Sequence, residues 1–102
     1  MKESNGDVVK QYTNTVEVRL RDFDYGLRQV NAHGEPVSED FAKVSRALAL
    51  REIYVAKKHL EEAGGSLDGE LKQKVESIFD NHLGEAKEYF KSISKEYAVH
   101  GW

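Results

Sequence analysis

The 102-residue sequence predicts an α+β domain, mostly helical: a long antiparallel helical hairpin with an N-terminal strand or β-hairpin packed on it. Three observations predict it. Between Ser38 and Ala98 the apolar residues recur at helical spacing in two runs. The pair Gly64-Gly65 separates those runs. Upstream, Thr15 to Phe23 alternates apolar with polar residues, which is the period of a strand with one buried face.

Residues 1–11 carry no periodicity and are expected to form a mobile arm ahead of a single domain over 12–102. In the strand region, 12–37, Val16, Val18 and Leu20 fall on one side and Glu17, Arg19 and Arg21 on the other. Asp24-Tyr25-Gly26 is expected to turn the chain into a second short strand, Leu27 to Val30. Asn31 to Pro36 has turn composition, and Pro36 disfavours helix at Glu35, so the helical part begins after it.

The hairpin, 38–98, opens at Ser38, whose hydroxyl suits an N-cap, with Glu39 and Asp40 at the positive end of the helix dipole. Projection at helical spacing puts Phe41, Val44, Leu48 and Val55 on one broad face together with Ala49, Ala56, Leu60 and Ala63. Gly64 can adopt the left-handed conformation that ends such a helix. Ser66 or Asp68 then caps a second helix, whose apolar face runs from Leu71 through Val75, Ile78, Phe79, Leu83, Ala86, Phe90 and Ile93 to Tyr97. Gly84 is a place where that helix can kink or divide. Spans of about 37 and 48 Å leave Ile93 and Tyr97 beyond the end of the first helix, to be covered by the strand or by another chain. Residues 99–102 form a short tail.

The formal charge of −3 is spread as −1 over residues 1–37, 0 over 38–65 and −2 over 66–102, so no segment is basic. That argues against nucleic acid as the principal partner, because nucleic-acid binders carry clustered positive charge. No cysteine is present, which excludes disulfides, thiolate catalysis and cysteine zinc sites. No apolar run approaches the roughly 20 residues of a membrane span, and the first residues lack the apolar core of a signal peptide. A cytoplasmic protein without membrane contact is expected.

Candidate chemistry is sparse. His59 and His82 project onto the apolar faces of their helices, but hairpin register puts them at different levels, and Phe79 stands where a Glu-x-x-His metal motif needs a carboxylate. Neither metal nor cofactor is expected. Glu52 alone is a carboxylate on an apolar face, and one carboxylate does not make a catalytic site. Gly64, Gly65 and Gly69 lack the Lys-Ser/Thr ending of a phosphate loop.

In element order, a strand presenting Glu17, Arg19 and Arg21 outward and followed by two helices resembles the ribbon-helix-helix DNA-binding dimers. That resemblance implies a dimeric transcriptional regulator whose Arg19 and Arg21 contact DNA. The chain departs from the pattern in the dozen or so residues between strand and first helix, and in helices of over twenty residues each. The first expectation is instead a non-catalytic protein-interaction or regulatory protein that occupies a partner surface, such as a small inhibitor encoded by a phage or mobile element. A second apolar stripe on the first helix, Ala47, Leu50 and Tyr54, exceeds what a two-helix hairpin can bury. It is therefore expected in an intermolecular contact, most simply a two-fold homodimer.

Overall fold

The computed structural model describes residues 5–93 and folds them into three helices, α1 (Asn5–Arg28), α2 (Glu39–Glu62) and α3 (Gly69–Ile93). Among these residues there is no strand, and the one extended pairing is an isolated antiparallel bridge between Val30 and Pro36. The α+β expectation is corrected accordingly: the protein is a three-helix bundle. Helix α1 takes in residues 5–11, expected as an arm, the alternating segment 15–23, and the expected turn and second strand up to Arg28.

The alternation misleads because it is only three apolar residues long. Over a wider window Val9, Tyr12, Val16, Leu20, Phe23 and Leu27 recur at steps of three and four, the period of a helix face. Burial follows that period: Val16 and Phe23 are buried and Leu20 is half-buried, whereas Val18 is 39% exposed. The β-branched residues of α1 disfavour helix by less than about 0.7 kcal/mol each. Burying Val16 and Phe23 is worth about 1.5–3 kcal/mol apiece, so packing overrides propensity.

Helix α1 closes with Gln29 in the left-handed region (φ 56°), where Gln29 donates to the Gly26 carbonyl and Val30 to that of Tyr25. The following loop is built around Asn31. Its side-chain oxygen accepts from the backbone N–H groups of His33 and Glu35 at 2.9 and 3.0 Å, while its Nδ2 donates to the Glu35 carboxylate. Helix α2 starts as its sequence indicates, with the Ser38 hydroxyl accepting from the Phe41 N–H at 3.1 Å. It ends as indicated too: Gly64 has φ 85°, Gly64 donates to Glu61 and Gly65 to Leu60. Helix α3 runs unbroken through Gly84. Its expected continuation to Ala98, Tyr97 and the tail 99–102 lie outside the described residues.

Helix α2 is the central element, antiparallel to both neighbours. Against α1, Tyr12 stacks on His59 near one end (5.3 Å between ring centroids) and Gly26 meets Ala42 and Arg46 near the other. Against α3, Tyr54 meets Phe79 edge-on and Arg46 pairs with Glu85. Helices α1 and α3 therefore run parallel and meet through Phe23 and His82, with 5.1 Å between their ring centroids. The core has two parts. One gathers Val16, Ile53, Ala56, Leu60, Leu67 and Val75, and the other Phe23, Ala47, Ala49, Leu50, Ala86 and Phe90.

Two glycines give a test of this packing. A Cβ on Gly26 would stand 2.6 Å from Arg46 Cγ and 3.3 Å from the Ala42 carbonyl, whereas one on Gly84 would meet nothing within 4 Å. Gly26→Ala is expected to cost about 1–3 kcal/mol by overpacking the α1–α2 crossing. Gly84→Ala is expected to add about 0.5–1 kcal/mol, because alanine restricts the unfolded chain and favours helix. Urea unfolding followed by circular dichroism measures both, and equal effects at the two sites would contradict the packing.

Candidate protein-interaction site

Arg46 shows how polar groups are used in this bundle. Its Nη1 donates to the Gly26 carbonyl at 3.0 Å, and its Nε and Nη2 donate to Glu85 Oε1 at 3.2 and 3.0 Å. One mostly buried guanidinium thus ties the end of α1, the middle of α2 and the second half of α3 together. Arg28 pairs with Asp24 one turn earlier, and that hydrogen bond raises the guanidinium above its ordinary pKa. Both are structural arrangements rather than reactive ones.

Among the described residues no polar or charged residue is fully buried, and no three His, Cys, Asp or Glu side chains converge to hold a metal ion. His59 lies against Tyr12 and pairs with Glu62 at 3.2 Å, whereas His82 lies against Phe23. The hydroxyls of Thr15 and Ser92 donate to backbone carbonyls, and that of Ser38 caps α2. Glu52 is exposed at the mouth of a shallow concavity. No helix is long and apolar enough to cross a membrane, again among the described residues.

The stripe expected to be intermolecular is intramolecular. Leu50 is 1% exposed and Ala47 is buried, both clustered with Phe23 of α1 and with Ala86 and Phe90 of α3. Tyr54, half-buried, packs its ring on Phe79 at 6.3 Å. Helix α2 carries more apolar surface than one neighbour covers, and α1 and α3 together cover this stripe. Ile93 is not covered, standing 54% exposed. The strand-based mode of DNA contact is withdrawn, because residues 15–23 are helix. Arg19 pairs with Asp22 at 2.9 Å, and its Nε is buried without a hydrogen-bond partner. Arg21 is exposed on the rim of the groove described next.

Between α1 and α3 lies an open groove of about 1160 Å³. Its floor is apolar: Leu20, Phe23 and Leu27 from α1, Leu71 and Ile78 from α3. Its rim carries both signs, with Glu17, Arg21 and Asp24 on one side and Glu70 and Lys74 on the other. The groove exists because both flanking helices pack on α2 more than on each other, so the parallel pair stays splayed above the Phe23–His82 contact. Leu27, 48% exposed, is the apolar residue most open to solvent within it. Of these groove residues only Arg21 was singled out from the sequence, and for DNA contact rather than for a groove; the period of α1 from Val9 to Leu27 is the signal that places its apolar residues on one face. The chain matches no protein-family model, no curated protein and no solved structure.

Proposed function

We propose that this is a non-catalytic protein-interaction protein that acts by occupying a partner surface, as a small inhibitor does, and that the groove between α1 and α3 receives an amphipathic helix of the partner. The observation that carries the proposal is the groove's lining: apolar residues of two parallel helices with charges of both signs around them. A helix about 10–12 Å wide seats in such a groove as the missing fourth element of a bundle. The preferred occupant presents Leu, Ile or Phe at three- and four-residue steps, with both charge signs on its flanks to meet Arg21 and Lys74 on one hand and Glu17, Asp24 and Glu70 on the other.

Capture of partners from a lysate of its native cell, with and without nuclease, compares the wild-type chain with Leu27→Lys. Leu27 is half out in solvent, so the substitution leaves the fold intact while placing a charge on the floor of the site. At least about a tenfold loss of captured protein is expected in the variant, since a central apolar contact is worth roughly 1–2 kcal/mol or more. Capture that disappears with nuclease, or that Leu27→Lys leaves unchanged, would remove this function from the groove.

A further inference from the structure

Helix α2 carries a further apolar stripe that its neighbours leave partly open, Phe41 and Leu48 lining a concavity with Asp22 and Tyr25 of α1. Phe41 is 58% exposed and Leu48 49%, with Val44 and Val55 half-buried beside them. These positions recur at steps of three, four and seven residues, the seam of a helix that packs lengthwise against another helix. Phe41 and Leu48 stand there beside Ser45 and the exposed Glu52, so this side of α2 is an apolar stripe with a polar edge. Arg51, which has an interaction within its own chain, fills the remaining position of the repeat, and its apolar stem can lie along the seam.

We propose that a second copy of this chain covers this face, with the two α2 helices antiparallel across a two-fold axis at Leu48. Charge complementarity between the two ends of α2 supplies the grounds for a second copy over a foreign helix; within the stripe, the evenly spaced Phe41, Leu48 and Val55 map onto one another on reversal about Leu48, whereas Val44 meets the exposed Glu52. Phe41 stands seven residues before Leu48 and Val55 seven after, so a two-fold at Leu48 sets Phe41 of each chain against Val55 of the other and Leu48 against Leu48. Charge agrees with that register. Asp40 and Lys58, both exposed, project onto the same flank of the stripe at opposite ends of the helix. The antiparallel pairing brings Asp40 of one copy beside Lys58 of the other at both ends, whereas a parallel two-fold carries that flank to opposite sides of the seam and pairs neither charge. The opposed helix dipoles favour the same arrangement. The exposed apolar area is modest, which places the dimer in the weak class of interfaces, below about 1,200 Å² in total. This face shares no residue with the α1–α3 groove, whose lining includes nothing from α2, so the two sites stand or fall separately.

The chain's lack of cysteine makes a direct test possible. Leu48→Cys puts one thiol per chain on the proposed axis, and Val18→Cys puts one on the outer face of α1 as control. Under mild oxidation Leu48→Cys is expected to become disulfide-linked dimer at least about tenfold faster than Val18→Cys, because facing Cβ atoms there come within disulfide reach. Light scattering of the unmodified chain from about 5 to 500 μM should show mass rising from monomer towards dimer, a range suited to a weak interface. Leu48→Lys should weaken association at least about thirtyfold with helicity retained. Asp40→Lys or Lys58→Glu alone should weaken it about threefold to tenfold, and the two together should restore it. A chain that stays monomeric throughout, with equal oxidation rates for the two cysteine variants, overturns the proposal. So does a dimer that Leu48→Lys leaves intact, or charge changes that add up without restoring association.

Discussion

Leu50→Ala is expected to lower stability by about 2–5 kcal/mol and to leave the state of association unchanged. Leu50 is 1% exposed in a cluster with Phe23, Ala49, Ala86 and Phe90, so removing its branched end opens a cavity that three helices must close over. A domain of this size has about 5–15 kcal/mol of stability in all, so the loss is a large fraction of it. In a thermal melt it corresponds to a fall of roughly 10–30 °C. The double change of Leu50 to Ser and Tyr54 to Lys should go further and unfold the chain, since it also puts an ammonium beside the Phe79 ring. Circular dichroism and light scattering on the same samples decide the matter. Variants that remain fully helical while a dimer falls apart would return this stripe to an intermolecular contact and refute its place in the core.

Phe23→Ala should cost about 3–5 kcal/mol, while Val18→Lys should change stability by no more than about 0.5 kcal/mol. The contrast separates a helix from a strand over these residues. Strand parity groups Val18 with Val16 and Leu20 and turns Phe23 to the opposite side, alongside Arg19 and Arg21. Helix geometry groups Phe23 with Val16 and Leu20 and turns Val18 outward. Phe23 is also where α1 touches α3, through the His82 ring, so its loss loosens all three helices at once. Urea unfolding of the two variants measures the difference, and a Val18→Lys cost equal to that of Phe23→Ala would mean that the strand pattern governs burial.

The proposed dimer and the proposed groove assign the outward surfaces different tasks. Groove residues come from α1 and α3, and the dimer stripe from α2, so a dimer would carry two grooves on its outer sides. Such an arrangement would let a bivalent partner bind more tightly than either groove alone, provided its two helices can reach both.

What the sequence by itself determined is the part that depends on neighbours along the chain. Ser38 as N-cap, Gly64 as helix end, and the loop from Asn31 to Pro36 follow from hydrogen bonds and backbone angles spanning three to six residues, and each stands where local chemistry puts it. The existence of α2 and α3 was legible for the same reason, as long runs at one period. The helical period of α1 is in the sequence too, over the run from Val9 to Leu27, but the five residues Val16-x-Val18-x-Leu20 mask it by also fitting a strand. The tertiary structure alone decided two things. It decided which stripe of α2 is core. Apolar residues lie on more than one side of that helix, and only the positions of α1 and α3 distinguish Leu50, which is covered, from Leu48, which is half exposed. And it decided where the groove lies, since a groove is a gap between elements distant in sequence. Periodicity tells how many apolar faces a helix has; how many neighbours it has to cover them is settled only when the chain folds.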